Sequence, residues 1–191
     1  MGTGIHLEAP VFNLPGGVRI APVAQADAAS LSSLIRRNTD HLRKFVPMVV
    51  GLAVEEEAAA HLQQAEDAFA AGDMLEWHIF LDGALSGAVR LKDIDAANKS
   101  AAVAYFIGKD FQGRGIVTSS VSSVIGYGFG CLGLNRIELQ CAVGNLASRR
   151  VAERLGFTLE GTLRQSEILH GAVVDVHVFG LLREEFKFQE R

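Results

Sequence analysis

The apolar run Ala102-Val103-Ala104-Tyr105-Phe106-Ile107 breaks abruptly into Gly108-Lys109-Asp110-Phe111-Gln112-Gly113-Arg114-Gly115-Ile116-Val117-Thr118. A strand that stops at clustered glycines and gives way to a helical pattern turns successive backbone N–H groups toward one point at a positive helix end, which makes an anion cradle. The segment therefore asks for a strand-loop-helix unit beside a sheet and for a phosphate-bearing ligand. Two nucleotide readings fail. A triphosphate loop needs Gly-x-x-x-x-Gly-Lys-Ser/Thr, which does not occur, and the dinucleotide fingerprint needs a third glycine where Thr118 stands.

Around that unit the chain reads as a single α+β domain spanning 1–191, with a mixed sheet and no repeat or linker to divide it. The first fifteen or so residues form a lead-in ending at Pro15-Gly16-Gly17. Val18 to Val23 alternates like a strand, and Asp27 to Asn38 places Ala28, Leu31, Leu34 and Ile35 on one helical face. Val54 to Ala71 is a second helix, acidic at its start and stopped by Gly72-Asp73. Glu76 to Leu81, the Asp82-Gly83 turn and Leu85 to Lys92 make a hairpin. The helix after the phosphate loop runs through Gly126, Gly128 and Gly130. Either these glycines let it lie close to the sheet, or it ends early.

A chain of 191 residues with 49% hydrophobic content can bury a full core, and a net charge of -4 with pI near 5.9 argues against nucleic-acid binding. Cys131 and Cys141 are too few to staple a domain, which suits a cytoplasmic setting. His6 stands where a myristoylation signal needs Ser or Thr, and no apolar run is long enough to span a membrane. The six histidines show no metal-ligand spacing, so no metal is expected. His78 and His177 read as packed imidazoles and His170-Gly171 as a hairpin turn. Asp175 and Arg183 to Glu185 read as solvated charges.

The spacing of Gln112, Gly115 and Val117 resembles the Gln-x-x-Gly-x-small pyrophosphate loop of the GNAT N-acetyltransferase superfamily. Further on, Asn145 to Phe157 is similar to the Asn-x-x-Ser helix ending in Gly-Phe of the RimJ/RimL-type ribosomal-protein N-terminal acetyltransferases, and Leu159 to Glu167 matches that branch's next segment. The resemblance is outlined from Val18 to Phe186 and specific from Tyr105 to Glu167. It implies the GNAT fold, a mixed, mostly antiparallel sheet flanked by helices with a bulge-splayed central strand pair. Acetyl-CoA is the implied co-substrate.

Acetyl transfer needs a held thioester, a base for the amine, an oxyanion contact and an acid for the thiolate. By resemblance, Gln112, Gly113, Arg114, Gly115, Ile116 and Val117 hold the pyrophosphate, Arg114 adding a charged contact, although Val117 is bulkier than the usual Gly or Ala. The backbone of Phe106 and Ile107 pairs with the pantetheine arm, and Asn145 contacts the same arm. Asn145 also suits a plain helix N-cap. Ser148, on the same helical face, is the candidate general acid. Glu167 is the candidate general base, its proton affinity raised by the apolar flanks Leu163, Ile168 and Leu169, with Glu160 as competitor.

A carboxylate base suits an α-amine, with an ordinary pKa of about 8, better than a lysine, whose amine titrates near about 10.4. The expected acceptor is thus a protein N-terminus, with Asn38 to Pro47 lining its groove. A small amine such as an aminoglycoside or polyamine is the alternative, and a catalytically silent CoA-binding module the third reading. Members of the branch often pair as homodimers, but no apolar stripe here marks the contact surface.

Overall fold

The structure, a computed structural model, describes residues 9–187, so Met1-Gly2 and His6 lie outside the described residues. Eight strands form one sheet in the order β1-β2-β3-β4-β5-β6-β8-β7. These are β1 (Phe12–Leu14), β2 (Val18–Pro22), β3 (Leu75–Leu81), β4 (Ala84–Asp95), β5 (Ser100–Ile107), β6 (Arg136–Ala142), β7 (Thr158–Leu169) and β8 (Ala172–Leu182). All neighbours run antiparallel except β5 and β6. Helices α1 (Ala28–Leu42) and α2 (Glu55–Ala71) precede β3, while α3 (Ile116–Gly130) and α4 (Leu146–Arg154) flank β6 in sequence.

Strand alternation divides the side chains between two layers. Trp77, Ile79, Val89 and Leu91 meet Val124 and Ile125 of α3 on one face, and Ala88 and Phe106 meet Leu31, Leu34, Ile35 and Leu62 of α1 and α2 on the other. The second layer also holds charge. Glu76 and His78 are buried on β3, Glu76 facing His61 at 3.3 Å and Arg90 at 3.6 Å, and His78 facing Asp27 at 2.7 Å. Burial alone would raise the Glu76 carboxyl, but the His61 hydrogen bond and the nearby Arg90 guanidinium outweigh it and hold the group below the usual range. The packed role expected of His78 therefore comes with a carboxylate partner.

The parallel pair is short. Pairing between β5 and β6 covers Ser100↔Arg136 to Ala102↔Glu138, yet β5 continues to Ile107 and β6 to Ala142. Beyond Ala102 the two strands diverge. On the other side of β5, β4 carries an extra residue: Ile79 pairs with Gly87 and Phe80 with Leu85, leaving Ser86 as a bulge whose carbonyl accepts from Gly108 N at 2.8 Å. A side chain at Gly87 would collide with the Phe106 carbonyl, so β4 and β5 stay in close contact here while β5 leaves β6.

Three features differ from or complete the sequence reading. Phe12–Leu14 is a strand, where the sequence suggests only a lead-in; three residues are too short to show a period, and the strand is fixed by pairing with β2 and by Phe12 packing near Trp77 and Tyr127. A 3-10 segment, Pro47–Ala53, follows α1. Helix α3 runs unbroken to Gly130, which answers the glycine question: a Cβ at Gly128 would lie 3.2 Å from Ile137 and Leu134 side-chain carbons, so this glycine lets the helix sit down on the sheet. Among the described residues no helix is long and apolar enough to cross a membrane.

Gly128→Leu is expected to lower unfolding free energy by about 1–3 kcal/mol through overpacking. Gly130→Ala, which meets nothing within 4 Å, is expected to raise it by about 0.5–1 kcal/mol. Urea midpoints at equal m-values check both.

Candidate active site

The divergence of β5 from β6 opens a cleft whose lining comes from both strands, the loop before α3, the first turn of α4, the segment after α1, and β7. At one end Gly113 (φ 74°) and Gly115 (φ 76°) are left-handed, and neither would meet anything within 4 Å if it carried a Cβ. The loop therefore faces open space with amides at the start of a fifteen-residue helix, where a phosphate is favoured. Gln112, Gly113, Gly115, Ile116, Val117 and also Thr118 line the cleft. Val117 packs against the core at the same time, so its branched side chain is accommodated.

Two loop residues have distinct surroundings. Arg114 is exposed between the two left-handed glycines and does not line the cleft; the cations that do so near the loop are Arg150 and Arg154 of α4. The Gln112 side chain meets His41 Nε2 at 3.2 Å, across to α1. A second tie runs beside it: buried Asn38 accepts from Lys109 N at 2.7 Å and donates to the Leu34 carbonyl at 2.9 Å. Of the groove segment expected over Asn38 to Pro47, His41, Leu42, Lys44, Phe45 and Val46 line the cleft. Burial, together with Lys44 and Lys109, holds the His41 imidazole below its ordinary pKa despite its bond to the Ile107 backbone.

In the notch itself Ser148 Oγ and Tyr105 Oη lie 2.8 Å apart. Ser148 is half-buried rather than an idle surface hydroxyl. Burial pushes the Tyr105 phenol far above its ordinary range, countered only in part by Ser148, so the pair carries a neutral O–H chain at physiological pH. Burial likewise raises the neighbouring Cys141 thiol. Asn145 is an N-cap: its Oδ1 accepts from Ser148 N at 3.2 Å, which holds the serine in place. Sequence reasoning missed Tyr105 because it sits in an apolar strand run that reads as core.

Glu167 lines the cleft and Glu160 does not. Arg136 grips both Glu160 oxygens, at 2.5 and 2.6 Å, and depresses its pKa, which ties up the competitor. The environment of Glu167 is more open than its neighbours suggest: Leu163 and Ile168 are 46% and 68% exposed, because β7 is an edge strand, and Leu169 alone of the three is buried. What sets Glu167 is backbone. Leu163 pairs with Val176 and Glu167 with Val174, so β7 carries two extra residues opposite Asp175, with Gln165 at φ 52°. Asp175 Oδ1 accepts from Gln165 N at 2.8 Å, and its carbonyl accepts from Val143 N at 3.0 Å. Asp175 is thus no idle solvated charge; it braces the bulge that leads into Glu167.

The sequence profile of the acetyltransferase (GNAT) domain matches residues 18–158. The chain belongs to this family, and its sheet with the diverging β5 and β6 is the GNAT fold. YdaF of Bacillus subtilis (strain 168), a putative ribosomal N-acetyltransferase, is 38% identical over 113 residues, which is 59% of this chain and 62% of that protein; the chain thus spans under two thirds of this relative's length. A ribosomal-protein-serine acetyltransferase of Escherichia coli (strain K12) is 29% identical over 157 residues, 82% of this chain and 88% of that protein. A solved RimL ribosomal L7/L12 alpha-N-protein acetyltransferase in complex with coenzyme A is similar with a TM-score of 0.85 and 25% identity, covering 91% of this chain and 98% of that one. Among the described residues no group of three metal-ligating side chains comes together.

Because Tyr105 is held neutral, the phenolate absorbance titrations of the protein and of Tyr105→Phe are expected to superimpose through the ordinary tyrosine range. A step near pH ~10 that is lost in the variant would contradict this.

Proposed function

We propose that the chain is an acetyl-CoA-dependent N-acetyltransferase whose acceptor is the α-amine of a protein. The observation that carries the reading is the conjunction, in one cleft, of an open left-handed glycine loop, a run of strand backbone without a β6 partner, a Tyr105–Ser148 hydroxyl pair and the Glu167 carboxylate. The chain's residues fit coenzyme A on this ground: loop amides of 112–117 for the pyrophosphate, Arg150 and Arg154 for further phosphate charge, and backbone groups of β5 up to Ile107 for the amide-bearing arm. Bound there, the thioester supplies an activated acetyl carbon.

Each remaining step belongs to the protein. Glu167, on the open edge strand and aimed by the Asp175-braced bulge, takes the ammonium proton through water. The Phe106–Ile107 backbone, without a partner on its β6 side, offers an N–H for negative charge on the carbonyl oxygen. Ser148 hands its proton to the departing sulfur, and the second proton that the nitrogen sheds as the amide forms returns through water to the Tyr105–Ser148 hydroxyl pair, so both hydroxyls end neutral. A carboxylate base acting through water suits an α-amine, which is neutral far more often at pH ~7 than a lysine side chain. The RimL and ribosomal-protein-serine relatives support the same acceptor class.

Thiol release from acetyl-CoA with peptides and small amines tests the proposal. Glu167→Gln is expected to lower kcat by about 10²–10⁴-fold with little change in the KM for acetyl-CoA. Gly115→Trp, at a left-handed position in front of the loop, is expected to abolish coenzyme A binding by calorimetry. Rates that are unchanged in Glu167→Gln would remove the base assignment.

A further inference from the structure

The charge of the cleft is opposite to that of the protein. The whole chain carries -4, yet among the described residues the cleft lining holds Lys44, Arg90, Lys92, Arg150 and Arg154 against the single carboxylate Glu167. These cations fall on two sides of the sheet. Val89 and Leu91 pack with Val124 and Ile125 on the α3 face, so Arg90 and Lys92, which alternate with them along β4, project to the α1 face. Lys44 joins them there from the segment after α1. Arg150 and Arg154 belong to α4, beside the phosphate loop.

The counter-charges near the α1 face are each engaged by a neighbour. Arg90 is 3.6 Å from Glu76, a carboxylate buried in the core layer and shared with His61. Lys92 pairs with Asp93, which is largely exposed, and such surface pairs hold loosely. Glu138, on β6 across β5 from Lys92, is engaged by Arg136 and Gln140. Lys44 has apolar neighbours in the lining, Phe45 and Met48, both exposed at the mouth. The mouth is therefore apolar and cationic, and the negative charge of the lining is confined to Glu167.

Resting on the reading of the cleft as an N-acetyltransferase site, we infer that it selects an amine borne on an anionic chain. The substrate class is a polypeptide N-terminus followed within its first few residues by Asp or Glu, and the acidic side chains meet Lys44 and Lys92. A polyamine brings further ammonium groups to the same wall and is disfavoured by like-charge repulsion.

The test uses the full chain with acetyl-CoA and three acceptors: a peptide beginning Ser-Asp-Glu, a matched peptide beginning Ser-Lys-Lys, and spermidine, with products located by mass spectrometry. The expected result is a kcat/KM for the acidic peptide about tenfold or more above that for the basic one, a gap that narrows as salt is raised. Lys44→Glu and Lys92→Glu, made singly and together, are expected to narrow or invert the preference while coenzyme A affinity holds. Singles on an exposed segment and a strand keep the test alive if the double variant fails to fold. N-terminal acetylation that favours the basic peptide, or ignores charge, overturns this inference and leaves the α-amine reading standing. Turnover of spermidine with both peptides silent overturns both.

Discussion

Backbone pairing that stops too soon is the constraint on which this molecule turns. Unpaired N–H and C=O groups in a sheet interior are costly, so two neighbouring strands that separate after three residue pairs must either be re-paired or face solvent and ligand. Here the separation is built in from both sides. The Ser86 bulge and the bare Gly87 keep β5 against β4, while β6 keeps to β8 along its full length from Arg136 to Ala142. The gap is thus a product of two intact antiparallel contacts pulling apart, which is why it can be open without the sheet coming undone.

Everything chemical is hung on the rims of that gap by short-range devices. An N-cap fixes Ser148, a buried phenol pairs with it, and a bulge braced by Asp175 delivers Glu167. Arg136 performs the complementary service of occupying Glu160, so that among the described residues the cleft lining is left with one carboxylate. The α1 face adds a further layer of control through buried Glu76 and His78. His78 meets Asp27, and Glu76 meets Arg90 at the cleft edge.

Local signals are readable in the sequence where chemistry and conformation coincide. Gly113 and Gly115 advertise the loop, Asp82-Gly83 and His170-Gly171 the two hairpin turns, and Asn145 with Ser148 the start of α4. What stays hidden is set by cross-strand partners. Tyr105 reads as core until Ser148, 43 residues on, is seen beside it. Asp175 reads as a surface charge until Gln165 is seen to need it, and Leu163 and Ile168 read as apolar cover until β7 proves to be an edge.

The two ties from α1 to the phosphate loop, Asn38 to Lys109 N and His41 to Gln112, have a consequence of their own. The same helix that ends at the cleft also steadies the glycine loop before α3. A displacement of α1 at the cleft would therefore reach the glycine loop directly through these two contacts.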